Sequence, residues 1–366
     1  MIIGIDASRY GHLSGTGVEL YSVKIIQGII DYFKHHSDHK IILYTPKKLP
    51  LYKTQTIQHR VIPFRRLWTK VRLSVEMLFK KPDVLFVPSH VLPHFVPKKS
   101  IITIHDVAFM HLKKSYSHFQ YWYLKRTTKY AVKKASKIIV PSEATKKDLH
   151  RFFNCPNEKI YVVTHGSDFR SKNLSSHIES SVLRKMNLKR KDNFFLFIGR
   201  LEEKKNLIRL IKAFMAFSEN FSNYNLVLAG KRGTGFKKIF NTTANLKAFG
   251  KVHMPGYINE NEKHVLLKYC SAFVLPSLYE GFGFPVLEAF AYQKPLIVSK
   301  TASLPEVAGE AGIYIDPYSI NSIKNGLESL IKNPQTKETT VKKQQEQLKK
   351  FDWQDSINKT IEIILS

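Results

Sequence analysis

Residues 277–299 read SLYEGFGFPVLEAFAYQKPLIVS. The stretch holds two glutamates eight positions apart, Glu280 and Glu288, separated by a loop with two glycines and a proline. The apolar run before it predicts the end of a strand, and residues 286–292 predict a helix. Pro285 falls at the first helical position, where a missing N–H is best tolerated. Because glycines let the backbone turn sharply and let a ligand approach closely, the stretch predicts a ligand-binding loop of an α/β domain.

A loop of this kind suits a phosphorylated ligand. The N–H groups and the positive dipole end of the helix face the loop and favour a phosphate. Glu280 precedes the helix and Glu288 lies about one turn into it, so both carboxylates can face one crevice. A nucleotide sugar needs N–H groups for its diphosphate and carboxylates for its sugar and ribose hydroxyls. An ordinary strand–loop–helix with two solvated glutamates is the alternative.

Composition indicates a folded protein with more than one domain. A chain of 366 residues is too long for one ordinary core. Its two cysteines have no metal-ligand spacing, which argues against a disulfide framework or a structural zinc site and fits a reducing cytosol. The opening MIIGIDAS lacks the features of a secretory signal, and no apolar stretch approaches the ~20 residues of a membrane span. We expect a soluble or peripheral protein.

The chain is strongly basic, with a formal net charge of +29. Residues 1–170 carry 29 basic and 11 acidic side chains. Such an excess favours an anionic partner, either phospholipid, nucleic acid or a polyanionic glycan. The segment PFRRLWTKVRLSVEMLFKK at 63–81 predicts a basic interfacial helix that contacts a membrane. The alternatives are a lysine-rich composition that only maintains solubility, and a sheet-packing helix with a basic outer face.

Short Val/Ile-rich runs alternate with amphipathic stretches along the whole chain. This alternation predicts parallel sheets covered on both faces by helices, in two consecutive doubly wound domains. The polar, serine-rich FRSKNLSSHIES at 169–180 predicts a linker. We therefore expect one domain at 1–170, a second at 171–345, and a C-terminal helix in 346–366 that returns to the first domain.

Two further segments place polar side chains or glycines between a strand and a helix. FIGRLEEKKNL puts Arg200 and Lys205 where a guanidinium and an ammonium could both reach a diphosphate, although a plain basic helix start would look similar. GHLSGTGVELYS puts Gly15 and Gly17 before a helix, where the backbone can approach a sugar phosphate. Each signal is weak alone.

IITIHDVAF places His105 and Asp106 at the carboxyl end of a strand, where open α/β sheets bind ligands, although a lone His–Asp pair is more often a structural hydrogen bond. No two aspartates form a D-x-D, a metal–diphosphate motif. We expect Arg200, Lys205 and helix N-termini to neutralise the diphosphate, with no metal and no cofactor. No P-loop occurs, which argues against nucleoside triphosphate hydrolysis.

Together these segments resemble the donor and glycine-loop signatures of the family 4 retaining glycosyltransferases, including their E-x7-E pair. The resemblance also covers PSEATKKDL at 141–149, while Lys204 replaces the arginine often seen before Lys205. It implies the GT-B fold, an α/β architecture of two Rossmann-like doubly wound parallel-sheet domains facing across a cleft. By this resemblance, residues 1–170 would form the acceptor-side domain and residues 171–345 the nucleotide-sugar donor domain, with the nucleotide sugar between the two.

The resemblance further implies roles for individual residues. Arg200 and Lys205 would neutralise the leaving nucleoside diphosphate, Glu280 would bind sugar hydroxyls, and His105 would contact the transferred sugar with Asp106 as its supporting partner. Donor binding would fall to the ribose-binding Glu288 and, through the backbone, to Gly15, Gly17, Phe282, Gly283 and Phe284.

The implied reaction moves a hexose, mannose or a similar sugar, from a GDP- or UDP-sugar to a hydroxyl of a lipid-linked or growing glycan, with retention. The implied location is cytoplasmic and peripheral, on the inner face of the cell membrane. The implied partners include an anionic membrane surface and do not include nucleic acid. Two alternatives share the fold, a sugar-nucleotide epimerase and a catalytically silent sugar-nucleotide-binding protein. A nucleic-acid-binding protein would explain the charge but not the paired carboxylates.

Overall fold

The computed structural model describes residues 1–10, 16–36, 38–49, 56–64 and 67–366. The chain divides into two compact units. The first unit contains residues 1–111, 117–166 and 351–366, and the second contains residues 112–116 and 167–350.

The first unit is built on a seven-stranded sheet. Its strands are β1 (Ile2–Asp6), β2 (Lys40–Thr45), β3 (Ile57–Val61), β4 (Val84–Val87), β5 (Lys99–Thr103), β6 (Lys137–Val140) and β7 (Ile160–Val162). They lie in the order β3-β2-β1-β4-β5-β6-β7, and every neighbouring pair is parallel. The helices of this part of the chain are α1 (Gly17–Lys34), α2 (Arg72–Phe79), α3 (Ala108–His111), α4 (His118–Lys134) and α5 (Glu143–Phe153).

The second unit repeats this plan with six strands. They are β8 (Asn193–Ile198), β9 (Tyr224–Ala229), β10 (Val252–Gly256), β11 (Ala272–Leu275), β12 (Leu296–Ser299) and β13 (Ile313–Ile315). Their order is β10-β9-β8-β11-β12-β13, again all parallel. Its helices are α6 (Ser176–Lys185), α7 (Leu207–Ser218), α8 (Phe236–Asn245), α9 (Glu260–Tyr269), α10 (Phe284–Ala291), α11 (Leu304–Ala308), α12 (Ile320–Lys332) and α13 (Pro334–Leu348).

The last helix, α14 (Trp353–Leu365), packs in the first unit against α1. Its Ile357 lies so close to Gly28 of α1 that a Cβ on that glycine would come within 2.4 Å of the isoleucine Cδ1. Likewise, a Cβ on Gly166 would come within 2.1 Å of the backbone nitrogen of Trp353. These glycines leave the space that lets the C-terminal helix pack closely.

Each strand order reverses once, between β1 and β4 in the first unit and between β8 and β11 in the second. The strands on the two sides of such a reversal send their connections to opposite faces, which opens a crevice at their carboxyl ends. The side chains of β4, β11 and β12 are buried on both sheet faces, as the uninterrupted apolar runs predicted. The predicted α/β class with two doubly wound parallel sheets is confirmed.

Two local predictions differ from the structure in part. Residues 169–175 of the predicted linker have no helix or strand, but α6 begins at Ser176, and the Ser175 hydroxyl accepts a hydrogen bond from the Ile178 N–H. In the described part of the basic segment 63–81, residues 63–64 and 67–81, the helix covers Arg72–Phe79 alone. Before it, the Trp68 ring is buried, and its indole N–H donates to the Ile62 carbonyl at 2.7 Å.

Candidate functional site

The reversal in the second sheet brings two distant loops together. β8 and β11 are parallel neighbours, with Ala272 paired to Phe195, so their carboxyl ends lie at the same edge. The loop after β8 carries Lys205, and the loop after β11 carries Glu280. The Lys205 ammonium lies 2.5 Å from the Glu280 carboxylate. Strand pairing therefore joins the two signatures that the sequence separates.

Glu280 is a buried carboxylate with two partners. Its Oε1 accepts the Lys205 bond and a hydrogen bond from the Ser277 hydroxyl at 2.6 Å. Burial alone raises the pKa of Glu280, but the charges of Lys205 and Lys204, with the hydrogen bonds, outweigh it and hold the pKa below its ordinary value of 4.5. Glu280 is therefore ionised at neutral pH, and it is an acceptor suited to sugar hydroxyls.

Asn206 sets the position of the Lys205 loop. This buried residue has a left-handed backbone with φ of 60°, which asparagine tolerates better than most residues. Its side-chain amide donates to the carbonyls of Pro276 at 3.1 Å and Pro317 at 2.6 Å. The Leu278 N–H also donates to the Lys204 carbonyl at 2.9 Å. Asn206 was not among the residues predicted from the sequence, because its only local signal is its place between Lys205 and a helix.

Arg200 lies on the same loop, against the segment GKRG that follows β9. The two backbones are joined by hydrogen bonds from Leu201 N–H to Lys231 O and from Gly233 N–H to Leu201 O, each 2.9 Å long. A Cβ on Gly233 would lie 2.7 Å from the Arg200 Cγ, and one on Gly230 would lie 1.8 Å from a backbone oxygen of the Arg200 loop. Both glycines are thus needed where Arg200 leaves the sheet, a requirement that was not predicted from the sequence.

The charged end of Arg200 is available to a ligand. The residue is exposed, and within the described part of the chain no carboxylate pairs with its guanidinium. Lys205, by contrast, is already neutralised by Glu280. An anion at this edge of the sheet would therefore meet the uncompensated charge of Arg200 and the charge that Lys205 shares with Glu280.

The loop between Glu280 and α10 is held by hydrogen bonds from Ser303. The Ser303 hydroxyl lies 2.8 Å from the carbonyl oxygens of both Glu280 and Phe282. Gly283 has a φ of 120°, a conformation that side-chain-bearing residues rarely adopt. The helix begins at Phe284, so Pro285 occupies its second position and not the first. The N-terminal N–H groups of α10 follow this loop directly.

Glu288 is held by a different lysine from the one that holds Glu280. The Lys263 ammonium lies 2.9 Å from Glu288 and 3.1 Å from Glu260. Burial raises the pKa of Glu288, and Lys263 offsets this only in part. Burial would lower the pKa of Lys263, but the two carboxylates raise it above its ordinary value. Lys263 was missed because its position on α9 gives no local sign of its partner.

Lys263 also contacts the segment that precedes α6. Its ammonium lies 4.6 Å from the centroid of the Phe169 ring, and that ring stacks on His264 at 5.0 Å. His264 Nδ1 lies 2.6 Å from the hydroxyl of Tyr292, which accepts a hydrogen bond from the Lys172 N–H at 2.9 Å. The start of the second unit is thereby tied to the helix pair that carries Lys263 and Glu288.

His105 lies in the first unit, after β5. The ring is buried, with Nε2 at 3.3 Å from the Pro88 carbonyl and the Tyr21 ring against it edge to face. Burial, and after it the neighbouring His90, lower the pKa of His105 to about 3. The imidazole is therefore neutral at physiological pH. Asp106 accepts a hydrogen bond from the Ala108 N–H at 3.0 Å.

The structure describes the glycine loop only from Thr16 onward. Gly15 lies outside the described residues. Gly17 is the first residue of α1, and Thr16 before it forms a capping box with Glu19. In the described ranges, no group of three His, Cys, Asp or Glu side chains could hold a metal ion. None of the described helices has the length and apolarity required to pass through a bilayer.

Comparison with known families accounts for both units. Residues 28–170 match the Glycosyltransferase Family 4 model, and residues 179–347 match the Glycosyl transferases group 1 model. The chain belongs to glycosyltransferase family 4. This family 4 enzyme is a nucleotide-sugar-dependent hexosyltransferase.

This family 4 transferase is similar to two O-antigen chain mannosyltransferases in sequence and to a sucrose-phosphate synthase in structure. It is 27% identical over 277 residues to O-antigen chain mannosyltransferase B of Escherichia coli, and the aligned region covers 75% of this chain and 72% of the relative. It is 26% identical over 344 residues to O-antigen chain mannosyltransferase RfbU of Salmonella typhimurium, spanning 90% and 91%. Sucrose-phosphate synthase from Thermosynechococcus elongatus matches it in structure with a TM-score of 0.77 at 16% identity, over 99% and 98% of the chains. That structural match shows a GT-B-like fold.

Proposed function

We propose that this transferase moves mannose, or a similar hexose, from a GDP- or UDP-sugar to a hydroxyl of a lipid-linked or growing glycan. The product would be a cell-surface polysaccharide or glycolipid. Mannose is favoured because the two sequence relatives named above are O-antigen chain mannosyltransferases. A location on the inner face of the cell membrane fits an acceptor carried by a lipid and the net charge of +29.

The Lys205–Glu280 pair, 2.5 Å apart at the strand reversal of the second sheet, is the observation that carries this proposal. In the proposed complex, Arg200, Lys205 and the N-terminus of α10 bind the diphosphate. Glu280 accepts hydrogen bonds from the hexose hydroxyls, and Glu288 accepts them from the ribose hydroxyls. This division suits the chemistry, because cations and N–H groups stabilise phosphate and ionised carboxylates accept from hydroxyl groups.

Catalysis in this scheme comes from positioning and electrostatics. The bond between the anomeric carbon and the diphosphate oxygen breaks, and the bond between that carbon and the acceptor oxygen forms on the same face. The acceptor proton passes to the departing diphosphate, which acts as the base. Arg200 and Lys205 stabilise the negative charge that develops on the diphosphate, so no metal is needed. Contact of His105 with the transferred sugar stays a prediction from the family resemblance.

A panel of nucleotide sugars tests the donor. We expect GDP-mannose to raise the thermal unfolding midpoint of the wild-type protein, and Glu288→Gln to reduce that rise. We then expect radiolabelled mannose to pass from GDP-mannose to a lipid-linked glycan acceptor. If only UDP-sugars or ADP-sugars raise the midpoint, mannose from GDP-mannose is excluded, while a transferase with another donor remains.

The same assay separates the alternatives. A sugar-nucleotide epimerase would convert the donor to an isomer without any acceptor. A silent binding protein would show the thermal shift but no turnover with any acceptor tried. Acceptor-dependent release of nucleoside diphosphate, together with labelled glycan, is the result that only a transferase produces.

A further inference from the structure

We propose that the transferase docks on anionic lipid bilayers through a surface formed by α4 and the segment 67–81, with Phe119, Trp122 and Phe79 entering the interface. We call it the aromatic–basic surface. The proposal deepens the proposed function, since a bilayer would carry the lipid-linked acceptor, but it rests on different residues.

Three large aromatic side chains on this surface face solvent. Phe119 is 80% exposed, Phe79 is 77% exposed and Trp122 is 51% exposed. Exposed apolar residues scattered singly need no explanation, whereas a cluster of them marks an interaction site. Further exposed apolar side chains in the same segments are Leu67, Val71, Val75 and Leu78.

Contacts join the two segments into one surface. The Phe119 ring stacks on Tyr123, one turn along α4, with centroids 6.2 Å apart. The Lys70 ammonium, next to Val71, lies 4.4 Å from the centroid of the Tyr123 ring. Farther along α4, the Tyr130 hydroxyl donates to the His94 carbonyl at 2.6 Å. The start of the segment 67–81 therefore lies against α4.

A second link runs through the same strand connection. The His94 N–H donates to the Ser74 hydroxyl of α2 at 2.7 Å, so His94 contacts both α2 and α4. Phe95 follows His94 and is 47% exposed. The connection between α2 and α4 thus adds another solvent-exposed ring beside these contacts.

The charge of the surface has one sign. Residues 113–134 contain no Asp or Glu, and the basic residues of α4 are Lys125, Arg126, Lys129, Lys133 and Lys134. The segment 67–81 holds a single acid, Glu76, which is 5% exposed and paired with Arg60 at 2.5 Å. Basic side chains around exposed aromatic rings match the interface of an anionic bilayer, where tryptophan is favoured because its ring is apolar and its N–H is polar.

This surface differs from the interfacial helix that the sequence suggested. Trp68 is buried and cannot insert, so α4 provides the tryptophan instead. A polyanionic glycan would use the lysines and arginines but would leave Phe119 and Phe79 in water. The exposed rings therefore favour a bilayer.

Sedimentation with vesicles of phosphatidylcholine, with or without phosphatidylglycerol, tests the proposal. We expect wild-type protein to sediment with the anionic vesicles only. The double variant Phe119→Ser/Trp122→Ser should lose at least about tenfold in partition coefficient. The matched control Phe240→Ser/Phe249→Ser, which alters exposed rings of the second unit, should bind as wild type does.

Tryptophan fluorescence provides a direct readout. Trp68 and Trp353 are each 7% exposed, so a change on vesicle binding reports Trp122. We expect a blue shift with anionic vesicles that Trp122→Phe removes while most binding remains. Lys125→Gln/Arg126→Gln/Lys129→Gln should abolish binding, and added salt should weaken binding of the wild type.

Three results would overturn the proposal: vesicle binding without a blue shift, equal binding by the Phe119→Ser/Trp122→Ser variant, or binding to dextran sulfate in place of vesicles. The thermal shift with nucleotide sugars should be unchanged in all these variants, because the proposed donor residues Arg200, Lys205, Glu280 and Glu288 lie in the second unit. Failure of donor binding with intact vesicle binding would count against the proposed function alone.

Discussion

Lys205 and Glu280 stand 75 residues apart in the chain, yet their ammonium and carboxylate groups lie 2.5 Å apart. Parallel pairing of β8 with β11 produces this contact, because both loops leave the same edge of the sheet. Both side chains are largely shielded, at 14% and 10% exposure. Removing one partner of such a pair costs more than the pair is worth, since it leaves a buried charge without compensation.

The first prediction concerns the two cations. Arg200→Ala and Lys205→Ala should each lower kcat by ~10²-fold or more, because both stabilise charge that develops on the leaving diphosphate. Only Lys205→Ala should also lower stability, since only Lys205 has a buried ionised partner, and adding Glu280→Gln should restore stability without activity. Steady-state kinetics and denaturant unfolding measure both effects, and activity should survive EDTA. Strict dependence on added magnesium would contradict this scheme.

The second prediction concerns Glu288. Glu288→Gln should weaken binding of the matching nucleoside diphosphate by ~1.5–3 kcal/mol, the range for hydrogen bonds to a charged group. Isothermal titration calorimetry measures this change, with Glu260→Gln as the control, because Glu260 also pairs with Lys263 but has a largely exposed side chain. Unchanged affinity in a folded Glu288→Gln protein would remove Glu288 from the donor site.

The third prediction concerns the pH dependence of donor binding. The pKa of Glu288 is raised, mainly by burial, so its carboxylate takes up a proton at a higher pH than an ordinary glutamate does. Affinity should therefore fall as pH is lowered towards that raised pKa. Lys263 partly opposes the rise in the pKa of Glu288, so Lys263→Met should raise that pKa further. The loss of donor affinity should then begin at a higher pH than in the wild type. Calorimetric titrations across a pH series would show no such displacement if Lys263 does not act on Glu288.

The fourth prediction concerns His105. Its pKa is lowered to about 3 by burial and by His90, so the ring should stay neutral from pH 5 to 8. Unfolded chains take up a proton near the ordinary value of 6.5, so the contribution of His105 to stability is complete above 6.5. It is lost as pH falls from 6.5 towards 3. Histidine NMR titration measures the first point, and a midpoint near 6.5 for His105 would contradict it.

The fifth prediction concerns Asn206. Asn206→Ala removes the amide donor from two buried carbonyls and places alanine at a φ of 60°. The free energy of unfolding should therefore fall by about 1–3 kcal/mol. Asn206→Gly relieves the backbone conformation but not the lost hydrogen bonds, and should cost less than Asn206→Ala. Denaturant unfolding compares the two variants. Equal stability of both would mean that the left-handed conformation carries no cost here.

Much of the fold could be predicted because its signals are local. The Val/Ile-rich runs formed buried parallel strands, and the amphipathic stretch that begins at Gly17 formed α1 over 18 residues. Two predictions differ from the structure for different reasons. Trp68 turns inward to the Ile62 carbonyl, which the basic pattern around it does not indicate, whereas the serine cap that starts α6 inside the expected linker is a local signal that was overlooked.

The site divides in the same way. Arg200, Lys205, Glu280 and Glu288 could be chosen from sequence because each lies beside a strand end or helix start, although their roles stay predictions. Their partners could not be chosen. Lys263 reaches Glu288 from another helix, and Gly233 makes room for Arg200 from another strand's loop.

The sequence by itself determined the α/β class of this protein and the type of most of its elements, because periodicity, glycines and caps act over a few positions. Only the tertiary structure decided which lysine neutralises which glutamate, and that Trp122 and not Trp68 faces solvent. Those outcomes depend on which strands pair and which helices pack together. Such contacts join residues tens of positions apart, and no short stretch of sequence encodes them.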